Sequence, residues 1–107
     1  MPNNKALTLL GFASKAGKLS FGMSKALEAI KTNKSKLIVT ACDVSPKSKK
    51  EIIFFAHNKS VKVVSFNDVT IEALSAAVGK KCGIISVCDD GFADSIFNIL
   101  GGYANDE

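Results

Sequence analysis

The chain has no arginine and no tryptophan, and it has a single tyrosine and a single histidine among its 107 residues. All fourteen strongly basic side chains are therefore lysines. Lysine is a flexible point charge, whereas bidentate contact with a guanine edge favours the planar guanidinium of arginine. This composition disfavours a code of base-reading side chains. It fits recognition of the shape and charge of a polyanion better.

Long apolar runs are also missing. No stretch of eighteen apolar residues is present, and no basic-then-apolar leader precedes the first helical pattern. We therefore expect a soluble protein that stays in the cytoplasm. The length and the 47% apolar content fit one domain, residues 1–107, with a core at about 5–101 and a short acidic C-terminal tail.

Motifs for metal, redox and nucleotide chemistry are absent. Cys42, Cys82 and Cys88 show no Cys-x-x-Cys spacing, and His57 completes no ligand set. We expect the cysteines to be small core residues. The chain has neither a glycine-rich phosphate loop nor a three-glycine dinucleotide pattern, and Ser24 and His57 lack a third member for a nucleophilic triad. These absences predict a protein that is not an enzyme and that uses no cofactor and no metal.

The charge that is present is unevenly distributed. Residues 1–67 hold twelve lysines and three acids, a balance of +9, whereas residues 68–107 hold two lysines and seven acids, a balance of −5. A basic half favours polyanionic partners, because neutralising phosphates releases counterions. Lysines that only keep the surface soluble are the open alternative.

Hydrophobic periodicity predicts an α/β fold, a three-layer αβα sandwich with a small mixed four-stranded sheet. Five helices are expected. The first two cover residues 5–16 and 22–31, and the third begins at a Ser45 cap with Pro46 in its first turn. The fourth runs from an Asn67 or Asp68 cap to Gly79, and the fifth runs from an Asp89 or Asp90 cap to just before Gly101. Strands are expected over residues 36–42, 61–66 and 83–88, with 18–21 as a short fourth.

The start of the second helix is the candidate binding site. Gly22 opens this helix, Met23, Ala26, Leu27 and Ile30 form its buried stripe, and Ser24, Lys25 and Glu28 fall on the opposite side. The first N–H groups of a helix lack partners and carry partial positive charge, so they can hold a phosphate. Lys15 and Lys18 lie nearby in sequence. Alternatively, Glu28 pairs with Lys25 or Lys31 along the helix.

Acids at strand ends suggest a second function. Asp43, Asp89 and Asp90 follow predicted strands, where open α/β sheets place ligands. The alternative is therefore a small α/β domain that binds a metabolite or a protein through these acids, without RNA. Helix capping explains Ser45, Asp89 and Asp90 more simply.

The order and spacing of several segments resemble the ribosomal L7Ae/L30e family, over about residues 5–101. The segments are Ala16-Gly17-Lys18, Gly22, Ala29-Ile30, the run from Lys34 to Val39, Ala41, the run from Asp43 to Pro46, the stretch from Leu74 to Gly79, and the Asp-Gly-Phe-Ala start of the last helix. The resemblance implies an αβα sandwich that binds RNA, in many members the kink-turn, a sharply bent internal loop with sheared G·A pairs. A monomeric, ribosome-associated RNA-binding protein is expected.

The resemblance also implies a set of RNA-binding residues. The Gly-x-Asn-Glu-x-x-Lys pattern of the family falls on Gly22, Ser24, Lys25 and Glu28. A loop that closes over a flipped-out nucleotide falls on Val78, Gly79, Lys80 and Lys81, and Lys18 completes the predicted set. The chain has Lys25 where the family has Glu, and Glu28 where the family has Lys. Because an ammonium cannot accept the bonds that a carboxylate accepts, the contact with the G·A pairs must be made differently, or the RNA differs.

Overall fold

The computed structural model describes residues 4–104 of the chain and the side chains of residues 5–101. The predicted acidic tail lies largely outside the described residues. Helices and strands follow one another in the order α1 Asn4–Lys15, β1 Leu19–Phe21, α2 Gly22–Lys31, β2 Leu37–Thr40, α3 Pro46–Asn58, β3 Val63–Ser65, α4 Ile71–Val78, β4 Ile84–Val87 and α5 Asp90–Ala104.

The two central strands are the two apolar runs of the sequence. All four residues of β2 and all four of β4 are buried, as expected for strands covered on both faces. The sheet order is β1-β4-β2-β3. β2 and β3 are parallel and are joined through α3, whereas β4 runs antiparallel to both β1 and β2. The prediction of a mixed four-stranded sheet is confirmed.

Helices cover both faces of the sheet, which gives the three layers predicted. We call the side covered by α1, α4 and α5 the three-helix face; its core includes Leu10, Leu74 and Ile96. The other side, the two-helix face, is covered by α2 and α3, with Ile30 and Ile52 at its centre. In the described part of the chain, no helix is long and apolar enough to cross a bilayer.

Several helix ends lie where the sequence places them. The Ser45 hydroxyl accepts a hydrogen bond from the Ser48 N–H at 3.2 Å, and Pro46 is the first residue of α3. α4 ends at Gly79, whose φ of 81° is left-handed. The Asp89 carboxylate accepts from the Phe92 N–H at 2.9 Å, so Asp89 caps α5.

Three sequence predictions about these elements are wrong. α4 is capped by Thr70, whose hydroxyl accepts from the Ala73 N–H, and not by Asn67 or Asp68. α5 continues through Gly101 and Gly102 instead of stopping before them. Cys42 is exposed, whereas Cys82 is buried and Cys88 is half-buried, so only Cys82 is fully a core residue.

Candidate nucleic-acid interface

The first turn of α2 opens directly from the end of β1. Phe21 is both the last residue of the strand and the N-cap of the helix, with an extended backbone, and Gly22 follows at φ +88°. A Cβ on Gly22 would meet no atom within 4 Å. The backbone angle, and not lack of space, therefore requires glycine here. The chain turns from strand to helix without a connecting loop.

This helix start, which we call the mouth (residues 21–25), leaves its backbone donors uncovered. The Phe21 side chain makes no capping hydrogen bond, and the first turn of α2 contains no acid. Ser24 and Lys25 are exposed, as is Glu28 one turn later. Uncapped N–H groups carrying the positive end of the helix dipole are suited to a phosphate. The mouth can therefore accept an anion.

A second element, which we call the lip (residues 79–81), follows α4. Its base is fixed by hydrogen bonds: the Ser75 hydroxyl accepts from the Cys82 N–H at 3.0 Å, and the Cys82 thiol donates to the Lys80 carbonyl at 3.2 Å. Lys80 and Lys81 are both exposed. The lip thus presents two ammonium groups from a well-anchored loop.

The lip and the mouth meet. The Lys80 Nζ lies 5.6 Å from the centroid of the Phe21 ring, within the range of a cation–π contact. Lys80 is 59 positions from Phe21 in sequence, so only the fold brings them together. The Lys80 ammonium therefore lies close to the residue from which α2 begins, so a phosphate bound at this helix start would have a positive side chain of the lip nearby.

Burial at the base of the lip also affects a thiol. Loss of solvent raises the pKa of the Cys82 thiol above its ordinary value, while the nearby Lys80 ammonium acts in the opposite direction. The thiol therefore stays protonated near neutral pH. In that form it can donate to the Lys80 carbonyl.

For two residues of the predicted set, the contacts that the structure describes lie away from the mouth and the lip. The Lys18 backbone lies at the other end of β1, where its carbonyl accepts from the Cys88 N–H at 2.8 Å. The Val78 side chain is buried in the core of the three-helix face, and its carbonyl accepts from the Ser14 hydroxyl. Of the predicted set, the structure gathers Gly22, Ser24, Lys25, Gly79, Lys80 and Lys81 at one end of the sheet, with Glu28 one turn further along α2.

The strand-end acids do not form a shared site. The Asp43 carboxylate accepts from the Ile71 N–H at 2.8 Å, so it helps to cap α4, and Asp89 caps α5. β2 and β4 are antiparallel, so Asp43 and Asp89 follow strands that end at opposite ends of the sheet. Among the described residues, no group of three histidine, cysteine or acidic side chains could hold a metal ion. Helix capping therefore accounts for both acids.

One residue of the interface was missed by the sequence reasoning. Phe21 is half-buried, caps α2 and carries the contact with Lys80. The available signal was an aromatic residue directly before the helix-opening glycine, in a strand too short to form a core of its own.

Comparison with known proteins identifies the family. A model described as the ribosomal protein L7Ae/L30e/S12e/Gadd45 family matches residues 4–97. The chain belongs to this family. It is 33% identical over 96 residues to the large ribosomal subunit protein eL30 of Euphorbia esula, covering 88% of this chain and 85% of that protein. It is 29% identical over 100 residues to the RNA-binding protein YlxQ of Enterococcus faecium, covering 92% and 93%.

Solved structures agree on the fold. A protein of unknown function from Bacillus halodurans C superposes with a TM-score of 0.85 at 24% identity, covering 91% of this chain and 97% of that one. The 15.5kD RNA binding protein of Giardia lamblia gives a TM-score of 0.74 at 20% identity, covering 90% and 82%. The predicted αβα sandwich is confirmed. The predicted membership of the L7Ae/L30e family is confirmed as well, and the relatives named above are a ribosomal protein and an RNA-binding protein.

Proposed function

We propose that this chain binds a sharply bent RNA of the kink-turn type through the mouth of α2 and the lip after α4. Residues 5–101 act as one RNA-binding domain, and the protein works with ribosomes in the cytoplasm. The observation that carries the proposal is the approach of Lys80 to Phe21, which brings two separate cationic elements to one place. A bent RNA brings several of its phosphates close together, so one compact positively charged site can contact several of them.

The geometry supports a specific set of contacting residues for this proposal. N–H groups of the first turn of α2 and the Ser24 hydroxyl bind phosphate or sugar oxygens, and Lys25, Lys80 and Lys81 neutralise charge. Glu28 supplies the only carboxylate on this part of α2, so it is the group able to accept from guanine N–H groups. The exchange of Lys25 and Glu28 relative to the family pattern thus moves the acceptor one helical turn along α2.

Salt-dependent binding tests the site. We expect Lys25→Ala, and separately the double change Lys80→Ala with Lys81→Ala, to weaken binding to a kink-turn RNA by about tenfold for each lost charge contact. The slope of log affinity against log salt should decrease by about 1 per lysine. The matched control is Lys31→Ala with Lys34→Ala: both are exposed, and they lie about 15 Å away at the other end of α2.

A second experiment compares the kink-turn RNA with the same oligonucleotide in which Watson–Crick pairs replace the G·A pairs. This replacement removes the bend. Filter binding should show that the wild-type chain prefers the bent form. If the lip variants bind as the wild type does while the control pair does not, the interface is elsewhere. If bent and straight RNAs bind equally, the target is not a kink-turn.

The Glu28 position sharpens the assignment. We expect Glu28→Lys, which restores the family residue and adds a positive charge, to tighten binding to the kink-turn RNA. Weaker binding would mean that the Glu28 carboxylate makes a specific contact of its own. Circular dichroism of the variant serves as the folding control.

A further inference from the structure

A groove follows the free edge of the sheet on the side away from β1. It has a volume of about 940 Å³ and lies along β3 between α3 and α5. Its lining includes Lys49, Ile53, His57, Lys62, Val63 and Phe97. None of these residues belongs to the mouth or the lip. No other strand borders β3 on this side in the part of the chain that the structure describes.

Two of the three residues of β3 direct their backbone N–H and C=O groups toward this groove. The Lys62 carbonyl accepts from the Ile38 N–H at 2.9 Å, and the Phe66 N–H donates to the Thr40 carbonyl at 3.0 Å. Both therefore point toward β2. Alternate residues of a parallel strand serve one neighbour, so the N–H and C=O groups of Val63 and Ser65 point the other way. They form a short row of donors and acceptors along the groove.

The walls of the groove combine apolar and positive groups. Ile53 of α3 is 41% exposed, although it is a large aliphatic residue. Phe97 of α5 forms the opposite wall, and the Lys62 Nζ lies 4.5 Å above the centroid of its ring. Lys49 and Lys62 are both positively charged, and the lining includes no acid. Apolar walls, a polar edge and positive charge together favour an acidic segment in extended conformation.

We infer that this groove accepts an extended acidic segment of a partner protein, which adds to β3 as a fifth strand. Strand addition satisfies the Val63 and Ser65 backbone groups, while alternate side chains contact Ile53 or Phe97. A second copy of this chain is disfavoured, because pairing two β3 edges would bring Lys49 and Lys62 of each copy toward the same residues of the other. A peptide is favoured over nucleic acid, because the N–H and C=O groups along the edge of β3 match the donors and acceptors of another peptide backbone.

The groove and the proposed RNA site lie at opposite edges of the sheet. β4 and β2 separate β1 from β3, which corresponds to about 14 Å between the two edge strands. The residues that form the two sites therefore do not overlap. The strand-addition site does not depend on the RNA proposal.

Fluorescence anisotropy with labelled ten-residue peptides tests the inference on the full chain. One probe alternates glutamate with valine, a second alternates lysine with valine, and a third carries prolines in the acidic sequence. We expect only the first to bind. Lys49→Glu should weaken binding of the acidic peptide by about fivefold. Lys50 is exposed on the same helix but does not line the groove, so Lys50→Glu should leave binding unchanged.

A second pair of variants tests the apolar wall. Ile53→Asp should abolish binding of the acidic peptide, whereas Phe54→Asp, at a residue 59% exposed on the same helix and outside the groove lining, should have no effect. Equal effects of the two changes would overturn the assignment.

Amide hydrogen exchange gives a backbone readout. On addition of the acidic peptide, we expect slower exchange at Val63 and Ser65, whose N–H groups are otherwise free, and little change at Val64. Peptide binding without this protection would overturn strand addition. Protection that appears with rising protein concentration alone would mean self-association and would also overturn the inference. Displacement of the peptide by kink-turn RNA would overturn it too, because the groove would then belong to the RNA surface.

Discussion

The two faces of the sheet are packed by different means. Among the residues whose side chains the structure describes, sixteen buried apolar residues or cysteines form the core of the three-helix face. The two-helix face has a core of six, and there the central strands carry buried hydroxyls at Thr40 and Ser86. These pair with other hydroxyls: Thr40 with Ser65 at 2.6 Å, and Ser86 with Ser35 at 2.7 Å. One face is held mainly by apolar burial and the other partly by directional hydrogen bonds.

This difference bears on the interface, because its two halves come from opposite faces. The mouth belongs to α2 on the two-helix face, and the lip follows α4 on the three-helix face. Their separation therefore depends on both cores. Apolar packing holds α4, whereas the hydrogen bond between Ser86 and Ser35 ties the segment that follows α2 to β4.

The largest expected effect is on the free energy of unfolding, and it is measured with one substitution in each core. Leu74→Ala removes a fully buried side chain of α4 and should lower the free energy of unfolding by about 2–5 kcal/mol. Ile52→Ala, in α3 on the two-helix face, should fall at the low end of that range, because fewer buried neighbours surround the cavity. Urea denaturation of both variants measures the difference. A larger loss for Ile52→Ala would contradict the contrast between the faces.

The hydroxyl pair of the two-helix face should give an intermediate effect. Ser86→Ala leaves the buried Ser35 hydroxyl without its partner and should cost about 1–3 kcal/mol of stability. Replacing both serines by alanine should cost less than the single change, since no buried hydroxyl is then left unpaired. A double-mutant cycle measured by urea denaturation checks this. Additive losses would show that the two hydroxyls are not coupled.

The smallest effect concerns the thiols. Cys42 is exposed, Cys88 is half-buried on the two-helix face, and Cys82 is buried at the base of the lip. Iodoacetamide, followed by mass spectrometry, should label Cys42 first and Cys82 last. Burial raises the Cys82 pKa, so its labelling should require higher pH than that of an ordinary thiol.

The sign of the pH effect follows from the same shift. Because the folded pKa is the higher one, this thiol favours the folded state below its unfolded pKa, and that contribution disappears as pH rises through the folded pKa.

Cys82→Ser should leave the labelling of Cys42 unchanged. Equal labelling rates for Cys42 and Cys82 would contradict the burial at the base of the lip.

Local sequence signals predicted much of this fold. The bounds of α2 from Gly22 to Lys31, the Ser45-Pro46 helix start and the left-handed end at Gly79 all follow from chemistry within one or two turns. The central strands were evident as apolar runs because they are buried on both faces. These features depend on neighbouring residues, which a single sequence displays.

The errors arise where contacts between segments that are distant in sequence determine the structure. Asp43 reaches the start of α4 from 28 residues away, and the N-cap of that helix is Thr70, not the acidic residues before it. Lys18 is close to the mouth in sequence, and its backbone lies at the other end of the three-residue strand β1. The antiparallel pairing of β1 with β4 sets that separation, and spacing along the chain does not reveal it. The contact between Lys80 and Phe21 is likewise a product of topology.

The direct junction between β1 and α2 has a mechanical consequence. Phe21 is paired with Ile85 in the sheet and is also the residue from which the helix begins, so no flexible link separates the two. A load applied to the first turn of α2 therefore passes straight into a ladder only three residues long. Any ligand that binds that turn would therefore also restrain β1, one of the two edge strands of the sheet.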